Sequence, residues 1–345
     1  MPAEINAPLV DSPSIFSIEM LDEESGWAIT ESQVLRTNDG GVTWYDVTPP
    51  ELAKIGYGVF TDFLDVRHAW IQIPDQINYP NGGKLFRTSD GGMTWKSGET
   101  PFGGGDIAFL DERNGWIMAD LGVAAGSNAV SVFQTTDGGN TWTKTYTNDP
   151  SIEGASDSLP LGGIKNMILP LTMQTAWIGG VVYAPGTVYL FRTDDGGRIW
   201  FKINLVLPPE IEEGDFAIEE IKFLSSTRGF LVLRVMLEDT QTVIYETNDG
   251  GNTWAAAPAI IPSAGRIDLP SEQAIIFYGS DQVYISRDAA QTWNIIQPNI
   301  RFGESLTDLN FVNSNTGWVI VSDEASHRSL YKTTDGGATW FPLIP

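Results

Sequence analysis

The chain has 345 residues, with 44 acidic side chains against 20 Lys and Arg, and a formal charge of −24. That balance excludes a general nucleic-acid binder, because phosphate neutralisation needs clustered cations, and it disfavours docking on anionic lipid. Without cysteine there is no disulfide, thiolate metal site or cysteine nucleophile, and a histidine-based zinc site or serine triad would have to use His68 or His327. The 36 Gly and 20 Pro favour many short strands over long helices. No run approaches the roughly 18 apolar residues of a membrane span. The opening MPAEINAPLV lacks a cationic and then apolar leader pattern, so no signal peptide is expected in it.

In chain order, residues 1–13 form an extension in which Ile5–Val10 is read as an optional edge strand at the closure of the ring. From residue 14 to 345 one unit recurs. Its first part is a pair of strand-like runs joined by a polar turn: IEMLDEESGWAI (18–29), FTDFLDVRHAWIQI (60–73), IAFLDERNGWIM (107–118) and MILPLTMQTAWIGG (167–180). Later copies are IKFLSSTRGFLVL (221–233), a weak IDLPSEQAIIFYG (267–279) and LNFVNSNTGWVIV (309–321). After a connection and a third strand comes an eight-residue box: TNDGGVTW (37–44), TSDGGMTW (88–95), TTDGGNTW (135–142), TDDGGRIW (193–200), TNDGGNTW (247–254), SRDAAQTW (286–293) and TTDGGATW (333–340). Boxes recur at 51, 47, 58, 54, 39 and 47 residues, the period of a propeller blade or a helical array, and the alternating apolar flanks choose β. All 12 Trp are absorbed by the repeat: Trp44, Trp95, Trp142, Trp200, Trp254, Trp293 and Trp340 in the boxes, and Trp27, Trp70, Trp116, Trp177 and Trp318 on second strands. The expectation is an all-β, seven-bladed β-propeller of four-stranded antiparallel blades, first strand innermost, with the box turning strand 3 into strand 4.

The box residues have physical reasons. Asp39, Asp90, Asp137, Asp195, Asp249, Asp288 and Asp335 can accept backbone N–H bonds from the turn that follows. The glycines take positive φ without steric cost, and the Trp buries a large aromatic surface while its indole N–H needs an acceptor. Ala289 and Ala290 replace both glycines in the sixth box, so a strained or differently shaped turn is expected there. Arg36, Arg87, Arg192 and Lys332 recur before the box and are read as architecture, capping the blade or pairing with an acid of a neighbouring blade. Calcium binding by the DGG runs is disfavoured, because they lack the alternating oxygen ligands and terminal Glu of a calcium loop.

These boxes resemble Asp-box (BNR) repeats. Their pairing with F-x-x-x-x-x-G-W most resembles the photosystem II stability/assembly factor family and its relatives in non-photosynthetic bacteria, over essentially the whole chain. The resemblance implies a non-catalytic propeller that helps assemble or stabilise a protein complex, and an extracytoplasmic location. The family's assembly factors are thought to dock through a basic patch, from which this acidic chain departs.

In an up-and-down blade the 2–3 and inter-blade connections share one face, and here they vary most in length, including 73–84, 119–130, 146–163, 182–188, 207–220, 237–242 and 322–329. Binding residues concentrate on variable loops held by a rigid scaffold. The strongest feature on that face is the acidic group Glu210, Glu212, Glu213, Asp215, Glu219 and Glu220 with Glu238 and Asp239. Such runs ordinarily are solvated loops; read as a site, they form a docking patch for a protein partner with a basic segment. Tyr79 and Tyr183 join them as candidate contacts, and Tyr57 and Phe216 lie in or beside the same loops. His68 reads as a surface turn residue and His327 as solvent-exposed without a carboxylate partner. No catalytic residue, cofactor or metal is assigned, and a monomer is expected. The alternative is a carbohydrate-binding or glycoside-hydrolase propeller of sialidase-like type. Against it, the FRIP-type signature is absent and only Arg234, Arg266, Arg301 and Arg328 fall near the loop face. A xyloglucan-cleaving enzyme would also need two propellers.

Overall fold

A computed structural model describes residues 5–52, 55 and 59–343. Short strands dominate because each unit alternates apolar and polar residues over four to ten positions and then breaks at Asp, Asn, Ser or Gly. The first unit is Ile15–Met20, Gly26–Thr30, Val34–Thr37 and Tyr45–Asp46 (β1–β4). Next come Phe60–Phe63, Ala69–Pro74, Gly83–Thr88 and Lys96–Thr100 (β5–β8), then Gly105–Phe109, Gly115–Ala124, Ser127–Thr135 and Thr143–Thr147 (β9–β12). Ile164–Pro170, Ala176–Val182, Leu190–Thr193 and Phe201–Lys202 (β13–β16) are followed by Asp215–Phe223, Gly229–Met236, Gln241–Thr247 and Ala255–Ala256 (β17–β20). Arg266–Asp268, Ile275–Gly279, Gln282–Ser286 and Asn294–Ile296 (β21–β24) precede Leu306–Phe311, Gly317–Ser322, Arg328–Thr333 and Phe341–Leu343 (β25–β28). Among the described residues the only helical pieces are two 3-10 turns, Pro209–Ile211 and Gly303–Ser305.

Pairing between the strands is antiparallel, in sequence order within each unit, and one isolated bridge, Ser127 with Gly163, is parallel. Five units are separate four-stranded sheets; β13–β20 form one eight-stranded sheet because Val181 and Val182 of β14 also pair with Ala217 and Phe216 of β17. The first strands stand side by side, β5 by β9, β9 by β13, β13 by β17, β21 by β25 and β25 by β1. Apolar clusters fill the spaces between successive sheets. Trp116, Met118 and Val132 pack with Ile168, Ile178 and Trp200, and at the seam Trp318, Ile320 and Leu330 pack with Ile15, Ala28 and Trp44. The chain thus closes on itself through packing of its last unit on its first, with no shared strand. Ile5–Val10 does not lie on the last unit: Leu9 bridges Tyr45 of β4, and Val10 N and Asp46 N complete that edge pairing.

The repeated turns are near-identical. Thr37 Oγ1 donates to Asp39 Oδ1 (2.9 Å) and accepts from Gly41 N (3.0 Å), while Asp39 accepts from Thr43 N (2.9 Å) and Thr43 Oγ1 (2.6 Å). Gly40 and Gly41 have φ of 77° and 87°. The sixth turn keeps this shape rather than adopting another: Ala289 and Ala290 sit at φ 60° and 63°, and Ala290 N still reaches Ser286 Oγ at 2.8 Å. The strain expected there is therefore present and the different shape is not.

The recurring cations stack on a ring of their own unit and reach oxygens of the next one rather than acids of a neighbouring blade, and Arg192 also pairs with Asp194 of its own unit at 2.8 Å. Arg36 stacks on Trp27 at 4.4 Å and donates to Val66 O of the next unit; Arg192 stacks on Trp177 and reaches Asn252 Oδ1; Lys332 lies over Trp318. The indole N–H groups divide. Trp70 donates to Gly138 O and Trp318 to Gly40 O, whereas those of Trp116, Trp142, Trp177, Trp254, Trp293 and Trp340 are closed off without an acceptor.

Candidate functional site

Among the described residues the central bore is built in part by a device that crosses four of the blade boundaries. Alternate side chains of the first strands face inward, and their polar groups take backbone N–H groups of the next unit's first strand. Asp62 Oδ2 accepts from Phe109 N (2.5 Å), Asp106 Oδ2 from Ile168 N (2.6 Å) and Asp268 Oδ2 from Phe311 N (2.6 Å). At the seam Asp308 Oδ2 accepts from Ile18 N (3.1 Å) and Asn310 Oδ1 from Met20 N (2.8 Å). These N–H groups belong to strands with no other partner on the bore side, so the side chains supply the bonds that a continuous sheet would have supplied.

The cost is a crowd of carboxylates in a confined space. Burial pushes Asp62 and Glu220 up to about 7 and Asp106 to about 6. Glu19 and Asp308 shift upward for the same reason, with the Lys222 charge working against the shift at Glu19. Burial opposes the Lys222 ammonium, but Asp268, Glu220 and Glu19 outweigh it and hold it above an ordinary lysine; Lys222 Nζ stands 3.3 Å from Asp268 Oδ1. None of these bore residues except Glu220 was singled out in the sequence. The signal was available: Glu19, Asp62, Lys222, Asp268 and Asn310 each stand three residues before the polar turn residue that ends strand 1.

The acidic group is divided by the fold. Residues 207–220 are not all loop, since β17 begins at Asp215. Asp215 is half-buried with Oδ1 unpartnered, Glu219 is paired with Arg234 at 2.5 Å, and Glu220 faces the bore. Glu210, Glu212, Glu213, Glu238 and Asp239 remain exposed on loops. Gly186 N donates to Gly214 O (3.0 Å), which seats the Glu212–Gly214 turn against the connection that carries Tyr183, itself 66% exposed. Tyr79 is 48% exposed and lies against Gly103, away from this group. Phe216 is fully buried, and Tyr57 lies outside the described residues. Residues 119–130 are mostly strand, because β10 and β11 continue to a tight turn at Ala125–Gly126. His68 is more than a surface residue: its ring lies between Asp65 (2.9 Å) and Glu112 of the next unit (3.4 Å). His327 does have a carboxylate neighbour, Asp323 at 3.2 Å.

Two depressions that share Gly265 and Arg266 lie beside the bore on the loop face. One of about 470 Å³ includes Tyr278, Asp281 and Glu304, and one of about 190 Å³ includes Glu219, Glu220, Arg234 and Asp308. Among the described residues no group of three or more acidic or histidine side chains is placed to hold a metal, and no helix is long and apolar enough to cross a membrane.

Nested four-stranded sheets around a polar bore define a β-propeller. Solved structures with this arrangement include YCF48 bound to D1 peptide, at TM-score 0.55 and 15% identity over 96% of this chain and 93% of that one. The GH74 xyloglucanase from Xanthomonas campestris matches at TM-score 0.65 and 12% identity over 98% of this chain, which spans 55% of the enzyme. A PL25 ulvan lyase bound to -[GlcA(1-4)Rha3S]- matches at TM-score 0.55 and 11% identity, covering 97% of each. No family model and no curated protein matches the chain. At these identities the likeness is one of fold.

Proposed function

We propose that the chain is a monomeric, non-catalytic, seven-bladed Asp-box propeller that binds a protein partner through its loop-rich face. In this count β13–β16 and β17–β20 are separate blades, since each has its own strand order and box and they share only two residue pairs at one edge. Residues 14–345 are then one propeller domain, and Asp39 to Trp340 of the boxes are structural staples. The observation that carries the reading is the exposed acidic cluster Glu210, Glu212, Glu213, Glu238 and Asp239 beside exposed Tyr183. Carboxylates of this kind attract a basic segment and speed encounter, and an exposed aromatic gives it an anchor. The bore carboxylates support the same reading, since Asp62, Asp106, Asp268 and Asp308 are occupied as acceptors between blades. That YCF48 has been solved with a bound peptide is consistent with peptide capture by this fold.

The test is association kinetics with synthetic Lys- and Arg-rich peptides carrying one aromatic residue, across a salt series. Neutralising Glu212, Glu213, Glu238 and Asp239 together should slow association at low salt and leave the far-UV spectrum unchanged. Equal rates for variant and wild type at low salt would reduce the cluster to a solvated surface.

A second reading, a carbohydrate-active propeller, is favoured by the depressions around Arg266, where Glu220 and Asp308 face two arginines. Turnover of xyloglucan or a uronate-containing polysaccharide that is lost in Glu220→Gln would promote it over the first.

A further inference from the structure

Where the first and last units meet on the loop face, a cavity of about 590 Å³ opens between the chain entry at Val10–Ser14, the turn at Thr30–Gln33 and the connection that ends at Arg328. Its wall is rich in hydroxyl and amide groups: Ser12, Ser14, Thr30, Ser32, Gln33 and Ser326. One cation faces it. The Arg328 guanidinium lies over the Phe16 ring, 3.8 Å from its centroid, and among the described residues it makes no hydrogen bond or ion pair. Its Nε is shut off from solvent, so the two terminal amino groups are the donors it can offer. A second, smaller cleft with Ile15, Trp44 and Leu330 in its lining adjoins it and shares Ser12, Pro13 and Arg328.

Two further features set this cavity apart. Ser12 and Ser326, on opposite walls, both hold positive φ, at 48° and 65°, a conformation that costs energy for residues with a Cβ. And Arg328 has no carboxylate partner although two exposed acids, Asp11 and Glu31, line the same cavity. A guanidinium over a ring that presents two parallel N–H donors fits a bidentate oxyanion, and the carboxylate is the planar one. The ring of hydroxyls fits a ligand that carries hydroxyl groups beside that carboxylate.

We infer that the seam cavity is a binding site for a small hydroxylated carboxylate of the sugar-acid class, with Arg328 forking the carboxylate and the serine and threonine hydroxyls taking the polyol. The site is separate from the acidic cluster of the fifth unit, so it stands or falls independently of the partner reading. Because it includes the entry segment and both end units, a bound ligand would also cross-brace the closure of the ring.

The experiment is calorimetric titration of the whole chain with D-glucuronate and D-gluconate, with D-glucose supplying hydroxyls without a carboxylate and acetate a carboxylate without hydroxyls. Sugar acids should bind with Kd below about 1 mM, at least tenfold tighter than either control, since a charge-assisted fork alone gives roughly ten- to hundredfold. Arg328→Gln should weaken binding at least tenfold, and Arg328→Lys, which keeps charge but loses the fork, by several-fold. Phe16→Leu, which keeps the arginine and removes its platform, should give an intermediate loss. No heat with either sugar acid at 10 mM, equal binding of glucose, or wild-type affinity in a folded Arg328→Gln would each overturn the assignment. Should that variant fail to melt cooperatively, the wild-type comparison of sugar acid with glucose and acetate still decides.

Discussion

The second box glycine is required twice over, by backbone and by neighbour, and Gly251→Ala separates the two demands. Gly251 has φ +78°, and an added Cβ would lie 2.5 Å from Cζ2 of Trp177 in the preceding unit, well inside contact distance. The left-handed backbone costs a residue with a Cβ about 1–2 kcal/mol, and overpacking a filled interface about 1–3 kcal/mol more. The expected loss is about 2–5 kcal/mol. The sixth unit holds the internal control. There Ala290 occupies the same box position at φ 63° and is fully buried, and the residue facing it in the preceding unit is Phe230 where Trp177 or Trp116 would stand. The smaller ring makes room for the methyl. Phe230→Trp should therefore destabilise through Ala290, and adding Ala290→Gly should recover about 1–2 kcal/mol of that loss. Ala290→Gly alone should be near neutral, since relief of backbone strain offsets the loss of one buried methyl, about 0.8 kcal/mol. Urea denaturation of the four variants of the cycle, with Gly251→Ala beside them, gives the coupling. A coupling below about 0.5 kcal/mol, or a Gly251→Ala protein as stable as wild type, would refute the argument that neighbouring ring size sets the residue in the box.

Stability should pass through a maximum in mildly acidic solution. Asp62, Glu220 and Asp106 titrate higher in the folded chain than in the unfolded one, so the folded state retains protons that the unfolded state releases, and stability falls as pH rises from about 4.5 to 7. The box aspartates shift the other way. Burial disfavours their charged form, but hydrogen bonds from the turn outweigh it and hold Asp39, Asp90, Asp137 and Asp335 below 3.8, so their contribution is lost as pH falls through that range. Urea midpoints from pH 3 to 8 check both arms; a midpoint that rises steadily to pH 8 would contradict the bore geometry. Trp116→Ala should cost about 3–5 kcal/mol, since the ring is fully enclosed between the third and fourth units. The same denaturation series measures it, and a loss under 1 kcal/mol would mean the interface does not depend on that ring.

Much of the architecture was legible because the repeat writes its own spacing. An Asp that accepts turn N–H groups, glycines at positive φ and a Trp that fills the next interface are local requirements, and local requirements leave a residue pattern. So the antiparallel strand pattern, the turns and the burial of most tryptophans could be read from the chain. The closure could not. Asp308 and Asn310 reach Ile18 and Met20 across 290 residues, and only the curvature of the assembled ring brings them together. For the same reason the acidic run looked like one feature in sequence, while pairing with β18 placed Asp215 and Glu219 in a strand, turned Glu220 to the bore and left the rest on the surface. Arg328 could be placed near the loop face from the sequence, but its stacking on Phe16, more than 300 positions away, could not. Short-range sterics and hydrogen bonding fix the unit, whereas charge, burial and cavities depend on what the ring sets side by side.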